Sequence, residues 1–273
     1  MKSIYRLIPL LIMGLAVGLL SLSCSSSTTS SSTRSLGDTT STDYTSARAC
    51  TEEQLSSMMA SFYNGMYFTD GFEPGLGKVL GPADTTYQDY NPNTGWHYYY
   101  EEDSSAGCEY YVSDSVRFMS GSSYQQTPDS TTDRMDFKVH AGVDASDSII
   151  AVYEFFNDWV FTGLDGDTVE INGSGGYDWH LSYQEETMDL LIVDTYKDVL
   201  IEIDEYYPHS GSLTETMTGS FSSEEGYFNG SYTATYTFYE EYVHIRLQND
   251  DYYWEWDEYY NDLSPGYFGG DKP

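Results

Sequence analysis

The run Met135-Asp136-Phe137-Lys138-Val139-His140 decides the fold class. Apolar side chains hold one parity and charged or polar ones the other, the period of two of a half-buried strand. The same period extends outward. Tyr110, Val112, Val116 and Phe118 share one parity of 108–119. Further strands are predicted at 96–102, 148–162, 167–172, 177–184, 187–194, 198–206, 212–221, 227–238, 241–248 and 251–259. The segment 148–162 is also compatible with a buried helix, because Ile149, Ile150, Val152, Tyr153, Phe155, Phe156 and Trp159 crowd it. Asp165-Gly166, Asn172-Gly173 and Asn229-Gly230 offer the positive-φ residues that tight hairpins need.

Many strands joined by short turns, with no helical segments between them, imply an antiparallel meander rather than βαβ units. A dozen strands do not stay flat and open easily, so the expectation is a curled sheet: a barrel, half-barrel or sandwich. One helix precedes it. Thr51-Glu52-Glu53-Gln54 is a capping box, and Leu55, Met58, Met59 and Phe62 follow at helical spacing before Asn64-Gly65. This helix is expected to cover or plug one face. Between Gly71 and Gly95 the chain is rich in Gly, Pro, Asp and Asn and reads as a looped connection.

The chain carries 44 acidic and 11 basic residues, a net charge of −33. Such a surface repels nucleic acid and acidic headgroups and leaves cations, basic envelope proteins or glycans as partners. Low hydrophobicity with high charge can signal disorder, but 28 Tyr and 16% aromatic residues argue for a folded sheet.

The N-terminus supplies an address. Lys2 and Arg6 precede an apolar stretch from Leu7 to Leu20, then Ser21-Leu22-Ser23-Cys24. Pro9, Gly14 and Gly18 interrupt the stretch, which is shorter than the ~20 residues of a membrane-spanning helix, so it reads as a cleaved signal. Cleavage after residue 23 would remove two cations and no acid, leaving 9 basic against 44 acidic residues, net −35.

In these residues the chain resembles bacterial lipoproteins, whose signals end in Leu, a small residue, Gly, Ala or Ser, and the lipid-modified cysteine. Ser23 and Cys24 match; Ser21 stands where the family prefers Leu. The resemblance covers the first two dozen residues. It implies a lipid on Cys24 and anchoring in the cell envelope. Ser25 rather than Asp after the cysteine implies sorting to an outer membrane. Ser25 to Ser32 are all Ser or Thr, and small polar residues continue to Ala47, as in a flexible tether. The expected organisation is a signal peptide at 1–23, a tether at 24–49, one helix-plus-β domain at 50–262 and a tail at 263–273. With Cys24 taken by the lipid, Cys50 and Cys108 remain, and an oxidising compartment favours their pairing.

The sequence has no Gly-x-Ser-x-Gly, no His-Glu-x-x-His and no Cys-x-x-Cys. Gly75-Leu76-Gly77-Lys78 lacks the phosphate loop's first Gly, replaced by Phe72, and its Ser or Thr, replaced by Val79. The histidines at 97, 140, 180, 209 and 244 are scattered. Asp165-Gly166-Asp167 has the look of a calcium loop without the continuation to a bidentate Glu, and reads as a turn. With 44 acids, a glycosidase-like carboxylate pair can be drawn almost anywhere.

Asn249 to Asn261 is the richest segment. Tyr252, Trp254 and Trp256 share one strand face; Tyr253, Glu255, Asp257 and Tyr259 share the other. Rings beside carboxylates suit a sugar, while the plainer assignment puts Trp254 and Trp256 in the core and the acids in water. The expected function is a non-enzymatic envelope lipoprotein, without cofactor, serving as a binding or structural module. A carrier of a hydrophobic ligand and a glycan-binding or glycan-hydrolysing protein are the alternatives.

Overall fold

The computed structural model describes residues 35–40, 89–105, 108–145, 150–183, 186–202, 207–223 and 226–260, together with Arg48, Thr51 and Leu55. Among them run thirteen strands: β1 (Ser35–Leu36), β2 (Asp89–Tyr90), β3 (Trp96–Ser105), β4 (Cys108–Ser120), β5 (Ser123–Gln125), β6 (Arg134–Ala145) and β7 (Ile150–Thr162). There follow β8 (Thr168–Tyr183), β9 (Glu186–Glu202), β10 (Pro208–Ser223), β11 (Gly226–Phe238), β12 (Tyr242–Gln248) and β13 (Tyr252–Tyr259).

All belong to one sheet, in the order β1-β13-β12-β11-β10-β9-β8-β7-β6-β4-β3-β2, with β5 folded back on β4. Every pairing is antiparallel except that of β1 with β13. The expected mainly-β antiparallel meander is therefore observed. The sheet is not closed: its order ends at β1 and β2, so neither a closed barrel nor two separate sheets form among the described residues.

Alternation produces the two faces. On β9, Met188, Leu190, Ile192 and Tyr196 are buried while Thr187, Asp189, Leu191, Val193 and Thr195 are exposed. The apolar face carries the main core, which includes Val199, Ile201, Leu213, Tyr236, Phe238, Val243 and Ile245. Leu55 is fully buried within it. The helix expected over 51–64 otherwise lies outside the described residues, apart from Thr51, which is also buried. Arg48 reaches the same region, its guanidinium 5.4 Å from the Trp256 ring and 2.8 Å from Glu258 Oε1.

The opposite face is charged. Lys138 pairs with Asp158, His180 with Asp189, His244 with Asp257 at 2.8 Å and Arg246 with Glu255 at 2.6 Å. Near β5, Asp136 is nearly buried on this face because Arg117 and Arg134 both close on its carboxylate. The Arg117 guanidinium also lies over the Trp96 and Tyr124 rings, at 4.7 and 5.5 Å.

Three local expectations are corrected. The segments 167–172 and 177–184 form the single strand β8, and 187–194 and 198–206 fall in β9, whose described residues end at Glu202. Asn172-Gly173 is not a hairpin turn: Lys197 and Asp198 together face Asn172, a bulge that shifts the register between Ile171 and Gly173. Asp198 holds φ at 52°, and its N–H donates to Asn172 Oδ1 at 2.8 Å. The bulge re-phases the strand, so that burial passes from Tyr196 to Val199 rather than to Asp198. Asn229-Gly230 is likewise inside a strand, paired with Ser220 and Gly219. Segment 150–162 is strand, not helix, because both its neighbours hydrogen-bond along its whole length. Asp165-Gly166 does form the β7–β8 turn.

Candidate functional site

A transverse row of residues crosses the apolar face in register: Val139, Asn157, Gly175, Asp194, Glu215 and Ala234, each the direct partner of the next. Direct partners in an antiparallel sheet point to the same face, with Cβ atoms ~4.5–5.5 Å apart. Asp194 and Glu215 are therefore side by side, on β9 and β10, in a largely apolar surface. Their relative exposures are 7% and 8%. Neither makes an ion pair among the described residues, and Asp194 Oδ1 is buried without a hydrogen-bond partner.

Two buried carboxylates in contact resist ionisation. Burial first raises the Asp194 carboxyl far above its ordinary range. The same cause raises Glu215, and the charge of Asp194 adds to it, while the polar Tyr236 hydroxyl partly opposes the shift. Tyr177 and Tyr196 flank the pair, and their phenols are pushed well up by burial and then by the charges of Asp194 and Glu215. Such phenols stay neutral.

Gly175 shapes the third member. A Cβ at this position would lie 1.8 Å from Asn157 Oδ1, so the Asn157 amide oxygen occupies the place of a Gly175 side chain, next to Asp194. Asn157 is 8% exposed, and its side chain makes no hydrogen bond among the described residues.

The row divides the apolar face. The main core lies chiefly on one side, with Tyr232 reaching past the row; on the other, Met188, Leu190 and Ile192 pack with partly buried Tyr177, Trp179, Leu181 and Met217, the last touching both clusters. Tyr153 and Phe155 extend this second tier: the rings of Tyr153 and Tyr177 stack at 6.4 Å, those of Phe155 and Tyr177 at 6.2 Å, and Trp179 meets Tyr153 edge-on at 5.9 Å. Gly219 is the register partner of Leu190 and Gly230 that of Gly219, so the tier narrows to backbone at β10 and β11.

The residues expected to bind ligand separate. Trp254 is buried at 3% exposure, Trp256 packs against the core, and Tyr252 is exposed at the strand's start. Glu255 and Asp257 project to the charged face, held by Arg246 and His244. Asp165 and Asp167 are exposed turn residues. No cluster of three or more His, Cys, Asp or Glu forms among the described residues. His140 meets the Tyr111 hydroxyl at 3.1 Å on the charged face, far along the sheet from His180 and His244. Cys24, Cys50 and the side chain of Cys108 lie outside the described residues.

Among 44 acids Asp194 and Glu215 do not stand out by number, and Asn157 carries no charge. The usable signal was phase. Asp194 falls where Met188, Leu190 and Ile192 call for an apolar residue, and Glu215 falls between Leu213 and Met217. Asn157 stands in the phase of Tyr153, Phe155, Trp159 and Phe161.

Comparison with known protein families, with curated proteins and with solved structures finds no match to this chain.

Proposed function

We propose that this chain is an exported, lipid-tethered binding module of the cell envelope, without catalytic activity of its own, which takes up a neutral or cationic molecule with an apolar body. The observation that carries this reading is the contrast within the apolar face. One half is filled by a close-packed core, while the tier of Tyr153, Phe155, Tyr177 and Trp179 keeps part of its ring surface open to solvent. Aromatic side chains held rigidly by neighbouring strands offer contact area at small entropic cost. The sheet's thirteen strands favour a half-barrel curvature, which would make this tier concave. The net charge of −33 disfavours an anionic ligand.

Glycan hydrolysis is less well supported. Its two carboxylates would be Asp194 and Glu215, and Asp194 Oδ1 is out of solvent reach.

Titration of the purified protein with a neutral apolar fluorophore such as Nile red, beside a neutral polysaccharide, tests the reading. Saturable fluorophore binding, weakened roughly tenfold or more by Trp179→Ala as for a buried aromatic anchor, is expected. Absence of any saturable binding, or binding indifferent to Trp179→Ala and Tyr153→Ala, would overturn it. Cell fractionation of Cys24→Ala tests the tether; membrane association equal to that of the native chain would remove it.

A further inference from the structure

We propose that Asn157, Asp194 and Glu215 form an enclosed site for a calcium-class divalent cation, bound on the apolar face between the two halves of the core. This does not depend on the ligand assigned to the aromatic tier.

The geometry begins with three adjacent oxygen donors in one register row. Two carboxylates are direct partners across β9 and β10, and the Asn157 amide oxygen fills the space over Gly175 immediately beside Asp194. Asn157 is more than nine-tenths buried, makes no hydrogen bond among the described residues, and places its oxygen over Gly175, although its own strand lies two strands from Asp194 and three from Glu215. A buried amide is normally paired, because burying it alone is costly. Its oxygen stands over Gly175, the register partner of Asp194, whose Oδ1 is buried without a hydrogen-bond partner, an arrangement that a shared cation would satisfy. Two carboxylates carry two negative charges, which a divalent ion balances in a setting where Ile192, Tyr196, Leu213 and Met217 surround them.

The donor set selects the ion. All three side chains offer oxygen, which favours a hard cation over zinc, for which nitrogen and sulfur are the usual ligands. Magnesium retains several waters and demands octahedral geometry, whereas calcium accepts irregular cages of carboxylate and carbonyl oxygens. An apolar face with buried donors suits the second. The side chains of Asp165 and Asp167 lie in the exposed β7–β8 turn and take no part.

Purified full-length protein, stripped with EDTA, would be titrated with CaCl₂ by calorimetry and melted in CaCl₂, MgCl₂ and NaCl at matched ionic strength. A saturable heat and a calcium-specific rise in Tm are expected. Asp194→Asn with Glu215→Gln should abolish both while preserving the sheet, since the replacements are close in shape and remove buried charge. Gly175→Ala is the second variant: its methyl group displaces the Asn157 oxygen and should weaken calcium by on the order of tenfold, since affinity follows ligand number and placement. Asp165→Asn with Asp167→Asn should leave binding unchanged. A titration without saturable heat, or calcium binding that survives the Asp194 and Glu215 changes, or binding lost in the Asp165 and Asp167 variant, would each overturn the assignment.

Discussion

Asp194 on β9 and Glu215 on β10 are direct register partners on the apolar face, and no cation pairs with either among the described residues. Like charges placed opposite each other on a sheet repel, and burial magnifies the effect. The folded chain therefore holds protons on this pair more tightly than the unfolded chain does.

A pH dependence follows from that difference. In the folded protein Asp194 is pushed up to about 7 and Glu215 to about 8. Asn157, Tyr177, Tyr196 and Tyr236 face them, and the phenols of Tyr177 and Tyr196 remain neutral. Between the unfolded carboxylate range near ~4 and those values, the folded state binds more protons. The pair's contribution to stability is full below the unfolded range, falls as pH rises through about 8, and then levels. Urea unfolding in EDTA at about pH 5 and about pH 9 should show native stability falling relative to the Asp194→Asn, Glu215→Gln variant. Parallel profiles for the two proteins would refute the shift.

Asp136 carries the charged face near β5. Its carboxylate accepts from Arg117 Nε at 2.9 Å and from Arg134 Nε at 2.7 Å, and it is 3% exposed. Asp136→Ala should destabilise by about 2–4 kcal/mol, because it leaves two partly buried guanidiniums without their shared partner. Arg134→Ala should cost less than Arg117→Ala, which also loses the contacts with Trp96 and Tyr124. Equilibrium denaturation of the three variants gives the order.

Gly173 tests the bulge. Its φ is +144°, and a Cβ there would come within 2.2 Å of the Asp158 carbonyl oxygen. With no side chain between them, Trp159 and Tyr196 meet across it at 5.6 Å. Gly173→Ala should destabilise by about 1–3 kcal/mol through backbone strain and through the forced separation of the two rings. Far-UV and near-UV dichroism with urea melts would register both parts; an unchanged midpoint would refute it.

Alternation made most strands legible in the sequence. In 135–140 it named both the element and the face that would be buried, and in 187–194 the element, since the pleat gives each side chain its direction within two residues. Trp254 in the core and Asp257 on the charged face followed from the same rule. Asn172-Gly173 and Asn229-Gly230 misled because a local taste for positive φ serves a bulge or a strand glycine as well as a turn. Only the neighbouring strands choose between these.

What the sequence determined by itself was the alternation of faces, the acidic charge and the order of an antiparallel meander, all properties of residues close along the chain. What the tertiary structure alone decided was register: that Asn157, Asp194 and Glu215, separated by dozens of residues, stand in one row over Gly175. Register is set by the hydrogen bonds and packing of whole strands together with the bulge at Asp198, and a shift of one residue would turn both carboxylates to water.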